Sequence, residues 1–215
     1  MSHDALFSLD GDAFPGAVYA VVDCETNGFS PAKGDAMIEL AIVLLDAGGD
    51  VVAEWESLLD SGGAVGADWV HGITAGMLAH APGFAEVAGE IGRHLDRRVV
   101  VAHNAEFDLR FLRAAAARLG GGWAPESLCT QQLASGFLPK GVRRLADCCQ
   151  AAGVPPHNAH AALDDARATA ALFQYYLRGA PRPLPWADKV ERARQAPSWP
   201  PTALPQRPAM PRSRV

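Results

Sequence analysis

The run AVYAVVD, residues 17–23, constrains this chain more than any other stretch. It is apolar and β-branched, far too short to span a membrane, and it closes on an acid. It therefore reads as a buried strand that delivers a carboxylate at its C-terminal end. The rest of the chain has to supply a sheet around that strand. MIELAIVLLD (37–46) and VVAEWESLLD (51–60), joined by AGGD, read as an antiparallel hairpin. A loop rich in Gly, Pro and Asn (27–34) precedes the hairpin, and a longer loop (61–74) follows it, with Thr74 placed to cap a short helix. FAEVAGEIGRHL (84–95) carries apolar residues at Phe84, Val87, Ala88, Ile91 and Leu95, the period of an amphipathic helix.

RVVVAH (98–103) is a second short buried strand, and residues 104–121 form a helix with a capping residue at its start and glycines at its end. SLCT (127–130) predicts a short strand, with helices over 131–137, 142–152 and 160–178. A hairpin followed by alternating strands and helices implies an α/β fold, a mixed sheet with helices on its faces.

The 215 residues suffice for one domain with a substantial core. Residues 1–16 read as a flexible leader, 17–178 as the folded domain, and 179–215, dense in Pro and Arg, as a tail expected to be disordered or extended. The net charge of −5 argues against gripping nucleic acid by bulk electrostatics. The charge is uneven: the tail holds seven basic and two acidic residues, leaving the body strongly acidic. Cys24, Cys129, Cys148 and Cys149 form no C-x-x-C pair and read as reduced thiols. With no secretory pattern at the N-terminus and no membrane-length apolar run, a cytoplasmic location is expected.

Three acidic patches carry the chemistry. In Asp23-Cys24-Glu25-Thr26 the strand period sends Asp23 and Glu25 to one side and Cys24 to the other. Adjacent like charges favour a cation between them, although D-x-E alone is far more often an acidic turn. Asp108 stands at the start of a helix after a buried strand, where α/β sheets bind ligands and where a carboxylate also suits the helix dipole. His160 and Asp165 are five residues apart and share no helix face, so they converge only if His160 lies outside the helix; Pro155 and Pro156 block an earlier start. Together these are hard oxygen ligands suited to Mg²⁺ or Mn²⁺, beside an imidazole able to take a proton near neutral pH.

The ordered set D-x-E-T (23–26), H-N-A-x-F-D (103–108) and H-x-A-L-x-D-A (160–166) closely resembles the three motifs of the DEDDh 3′→5′ exonucleases. That family includes the proofreading subunit of bacterial DNA polymerase III, ribonuclease T and oligoribonuclease. The resemblance covers about residues 17–178 and implies a ribonuclease H-like fold with a five-stranded mixed sheet flanked by helices. It implies that Asp23, Glu25, Asp108 and Asp165 hold two divalent metal ions, Mg²⁺ or Mn²⁺, with His160 as general base and Thr26 against the terminal nucleotide. His71, within WVHGIT (69–74), lies in the stretch that borders substrate in relatives. The sister DEDDy group has a tyrosine four residues before the last aspartate; Ala161 stands there and His160 one residue earlier, which selects DEDDh. His157 is a decoy, since its matching aspartate position is Ala162.

The implied partners are the 3′ ends of DNA or RNA, and the implied products are nucleoside monophosphates. The tail could add phosphate contacts, bind a polymerase or repair partner, or serve as a solubilising extension. An accessory module in which partner binding is the main role is the alternative. The glutamine-led clamp peptide of proofreading subunits has only a faint counterpart in QQLASGF (131–137), placed before the third motif.

Overall fold

The computed structural model describes residues 12–66, 68–156, 160–196, 198–200 and 206–212. Most of the expected leader, and His157, lie outside them. β1 (Ala17–Thr26) sits at the centre of a five-stranded sheet. It pairs antiparallel with β2 (Met37–Asp46), which pairs antiparallel with β3 (Val51–Leu58). On its other side β1 pairs parallel with β4 (Val99–Ala102), and β4 with β5 (Ser127–Cys129). The order is β3-β2-β1-β4-β5, a mixed sheet.

The hairpin turn forms because Asp46 Oδ1 accepts from the N–H groups of Gly48, Gly49 and Asp50, while Gly49 takes φ +98°, which glycine adopts without strain. Helices follow as α1 (Asp68–His71), α2 (Ala75–Leu78), α3 (Phe84–Leu95), α4 (Glu106–Arg118), α5 (Thr130–Phe137), α6 (Leu145–Ala151), α7 (Ala162–Gly179) and α8 (Ala187–Gln195). As the sequence predicts, the Thr74 side chain caps α2, accepting from Met77 N–H. The one-turn helix α1, by contrast, interrupts a stretch that reads as loop.

Strand periodicity divides the core into two layers. Tyr19, Val21, Ala41, Val43, Leu45, Val99 and Val101 face α5 to α8. Ala20, Val22, Leu40, Ile42, Leu44, Val100 and Ala102 face α3 and α4. Alanines at 162, 166 and 170 let α7 lie close on β1 and β2, and Phe173 meets Tyr19 edge-on at 4.9 Å between ring centroids.

The stretch from residue 179, expected to be disordered or extended, is built into the fold wherever it is described. Trp186 is buried and its Nε1–H donates to Tyr19 Oη at 3.1 Å. On α8, Lys189 and Arg192 both reach Glu126. Trp199 packs edge-on against Trp123, and its ring occupies the space over Gly92 where a Cβ would come within 2.6 Å. The Pro and Arg density that reads as a tail here marks a segment laid over the surface and held by isolated aromatic and Arg anchors. At the other end, Phe14 packs into the α3/α4 layer and Asp12 pairs with Arg98. Cys24, Cys148 and Cys149 are buried free thiols, and Cys129 is free and half-buried. Among the described residues no helix is long and apolar enough to cross a membrane.

Candidate active site

The site forms at the C-terminal ends of the adjacent parallel strands β1 and β4, the position where open α/β sheets bind ligands. Residues 23 and 25 fall on the strand side that faces α7. Cys24 points into the α3/α4 layer and is 6% exposed. Its backbone N–H donates to Asp108 Oδ1 at 3.2 Å, which ties the first turn of α4 to the end of β1. The link from β4 to α4 turns through Asn104 at φ +66°, a conformation asparagine tolerates better than most residues. The His103 ring spans Thr130 Oγ1 (2.9 Å) and Arg143 O (2.7 Å), fixing that turn to α5 and the segment after it.

The last patch comes from the opposite layer. α7 begins at Ala162, so His160 stands outside it, in a left-handed conformation at φ +69°. Its backbone N–H donates to Asp165 Oδ2 at 2.9 Å, folding the entry segment back over the helix start. The spacing of five is thereby reconciled with convergence. One ligand atom each from Glu25, His160 and Asp165 lies within 4.8 Å of the others. Asp23 and Asp108 fall outside that group of three; Asp23 feels the charges of Asp108, Asp165 and Glu25.

The electrostatics are those of a crowded acidic cleft. Burial first, then repulsion from Asp108, Asp165 and Glu25, pushes the Asp23 carboxyl well above the usual carboxylate range. Burial pushes Asp108 up to about 7, against hydrogen bonds from Cys24 that favour its ionised form. Glu25 is also raised to about 7, by burial and by Glu39 and Asp165, while the Arg212 guanidinium pulls the other way. Carboxyls driven toward protonation by one another are stabilised as anions by a cation among them. The donor set is all hard oxygen apart from one imidazole, and it fits Mg²⁺ or Mn²⁺.

Thr26 closes β1 at a register shift, and its Oγ1 donates to Gly28 O at 2.7 Å. His71 lies beside the site with its ring turned inward: it is 3% exposed, and Nδ1 accepts from Ile73 N–H at 3.1 Å. Burial and the nearby Arg212 charge lower its pKa. The solvent-facing part of that segment is Trp69 and Val70.

Two residues that the sequence reading passes over belong to this neighbourhood. Glu39 lies opposite Glu25 in the β1–β2 register, is 1% exposed, and accepts from Ala162 N–H at the start of α7 at 3.1 Å. A lone acid inside MIELAIVLL was the available signal, because glutamate is rarely buried without a partner. Arg212 is the partner, at 3.3 Å. Nothing in the sequence connects it with Glu39.

A mixed sheet in this order, helical on both faces and with acids gathered at the ends of its two central parallel strands, defines a ribonuclease H-like fold with an acidic cleft. Within that class the chain belongs to the exonuclease family described as "RNase_T: Exonuclease", whose pattern matches residues 20–173. It is 32% identical over 209 residues to the ribonuclease T of Photorhabdus laumondii, covering 87% of this chain and 90% of that protein. It is 32% identical over 171 residues to the DNA polymerase III subunit epsilon of Treponema pallidum, covering 72% and 74%. Against the PolC-type DNA polymerase III of Thermotoga maritima it is 34% identical over 171 residues, 78% of this chain but only 12% of that much longer protein. Among solved structures, exonuclease X in complex with 5′-overhanging duplex DNA superposes with a TM-score of 0.61 at 24% identity, over 80% of this chain and 99% of the other. E. coli exonuclease I in complex with a dA16 oligonucleotide gives 0.64 at 19% identity, over 74% and 40%.

Proposed function

We propose that this protein is a metal-dependent 3′→5′ exonuclease that removes nucleoside monophosphates from single-stranded or frayed 3′ ends. The observation that supports the reading is the grouping of Glu25, His160 and Asp165, whose ligand atoms lie within 4.8 Å of one another, with Asp23 near enough to feel the charges of Asp108, Asp165 and Glu25. Asp23, Glu25, Asp108 and Asp165 are the residues that would hold two divalent ions. Bound there, such ions supply Lewis-acid stabilisation of the scissile phosphate and lower the pKa of a bound water. His160 takes the proton as the water oxygen bonds to phosphorus and the P–O3′ bond breaks; an imidazole is the usual side chain for that transfer near neutral pH. Asp165 serves twice, as a ligand and as the acceptor that holds the His160 backbone.

The substrate approaches an acidic body, so affinity comes from a short contact rather than a long basic track. Phe29, on the loop after β1, and Trp69, on α1, are 79% and 83% exposed, and the segments leading to them are joined where Asn27 Nδ2 donates to Ala64 O at 2.9 Å. Exposed aromatic rings of this kind stack on unpaired bases without reading sequence. Thr26 meets the terminal nucleotide. Both sugars remain substrates in this reading, given relatives named for ribonuclease and for DNA polymerase activities.

The test is a gel assay on 5′-labelled single-stranded DNA and RNA with Mg²⁺, Mn²⁺ or EDTA, with Asp165→Ala protein as control. A metal-dependent ladder shortening from the 3′ end, absent in the variant, is the expected result. Folded protein giving no ladder on either polymer would turn the search to a polymerase or repair partner, and a pull-down with the full chain as bait would follow.

A further inference from the structure

The chain after α8 returns to the site. Arg207 N–H donates to Glu86 O at 2.9 Å on α3, and its guanidinium reaches the carbonyls of Ala81 and His80. Met210 then docks beside β3, the edge strand: its N–H donates to Ser57 Oγ and its carbonyl accepts from Leu58 N–H, both at 2.9 Å. The Met210 side chain packs on the small cluster of Ile38, Leu58 and Ile73. Two residues later, Arg212 extends between the segments that flank the acidic cleft. Nη1 donates to His160 O (3.0 Å) and to Glu39 Oε2 (3.3 Å), and Nη2 donates to His71 O. Gly72 makes this approach feasible: it sits at φ +68°, and a Cβ there would lie 3.2 Å from Nη2.

Three of the five N–H donors of Arg212, from both Nη1 and Nη2, are engaged on protein acceptors. A guanidinium poised for a phosphate presents a free fork, whereas this one joins three strands of chain. Glu39 Oε2, which it pairs, also takes the Ala162 N–H, so a single buried carboxylate links the arginine to the first turn of α7. Around His160, the N–H is fixed by Asp165 and the carbonyl by Arg212, and the backbone between them is left-handed. That conformation is uncommon for a residue with a Cβ and persists where its surroundings hold it.

We propose that Arg212 is a positioning residue, a clasp that acts through His160 O and Glu39 to set the His160 imidazole over the carboxylates. The clasp rests on the reading of His160 as the proton acceptor, and catalysis is sensitive to such placement: a displacement of about 1 Å can lower a rate roughly 100-fold. Lysine offers a point charge with all its donors on one nitrogen and lacks the planar fork that divides the three bonds between Nη1 and Nη2.

The experiment combines kinetics with amide exchange on the full chain. Arg212→Ala is expected to lower kcat on a labelled oligonucleotide roughly 10- to 100-fold with KM unchanged. Arg212→Lys should recover part of the loss. In a His160→Ala background the Arg212 change should have no further effect, as for two residues acting in one step. Without metal or substrate, hydrogen exchange at the His160 and Ala162 amides should quicken in Arg212→Ala, and the Cys24 amide should be unaffected. A rise in KM at constant kcat would overturn the clasp in favour of a phosphate contact. A rise in kcat would make the segment a brake, and unchanged exchange at both amides would leave no clasp at all. If His160→Ala alone retains full activity, the proton-acceptor role fails, while the exchange result still decides whether Arg212 holds the segment. Should Arg212→Ala fold poorly, Arg212→Lys and Arg212→Gln carry the same measurements.

Discussion

The two halves of the acidic cleft are held in different ways. Asp23, Glu25 and Asp108 are fixed by secondary structure: two lie on the central strand, and the third is on the first turn of a helix bonded to that strand through Cys24 N–H. Their difficulty is charge: burial pushes all three upward, and repulsion from neighbouring carboxylates adds to it at Asp23 and Glu25. His160 has the opposite problem. It is exposed, outside any helix, at φ +69°, and it depends on Asp165, Glu39 and Arg212 for its place. Metal ligands tolerate a position set by the sheet because the ion completes the geometry. A group that must meet a water proton needs its own scaffold, and the chain supplies one from three separate segments.

Four experiments strain this contrast. Asp165 belongs to both halves, so Asp165→Ala should lower turnover by at least about 10⁴-fold. Asp165→Asn, which keeps an acceptor for the His160 N–H, should lose turnover too yet hold the His160 amide protected in hydrogen exchange. In the proposed mechanism His160→Ala removes the proton acceptor and should reduce kcat by about 10²–10⁴-fold, with metal affinity by calorimetry altered far less than in Asp165→Ala. If the histidine change abolishes metal binding, the division between the halves is wrong.

The third experiment addresses charge. Glu25 and Asp108, raised to about 7, hold protons in the folded state that the unfolded chain has already released in the usual carboxylate range. The folded state then binds more protons, so the metal-free protein should lose stability as pH rises from about 4.5 to 7. Its melting temperature should fall across that window, less steeply in Asp108→Asn, and millimolar Mg²⁺ should restore it at pH 8. A flat profile would mean that Glu25 and Asp108 are not held protonated in the folded state. The smallest effect is expected at Arg167, whose guanidinium meets Glu54 at 2.6 Å on the outer face of α7 and is half exposed. Arg167→Ala should cost under about 1 kcal/mol in denaturant unfolding and leave kcat unchanged. A fall in kcat would show that α7 is steered from outside as well as at its entry.

Much of the sheet is legible because strand runs such as AVYAVVD and RVVVAH are unbroken and bounded by turn residues. The three motifs are equally legible, since their residue types and order survive without coordinates. Other features are not local properties. DWVH is too short to carry a helical period, so α1 reads as loop. ADKVERARQ has a single clearly apolar residue, Val190, and α8 is invisible to a pattern search. Trp186 and Trp199 look like stray aromatics until Tyr19, Trp123 and Gly92 are seen to receive them. The Glu39–Arg212 pair joins residues 173 positions apart, and no spacing rule reaches that far.

The division of the core into two layers has a bearing on safety as well as geometry. Asp108 belongs to the layer of α3 and α4, Asp165 to the layer of α7, and only the sheet between them brings both to one place. On the proposed ligand set, a partly folded chain with one layer detached would lack one of the four carboxylates. If the proposed activity holds, such a chain should be inert, and the appearance of hydrolysis during refolding would time the docking of the second layer without any added label.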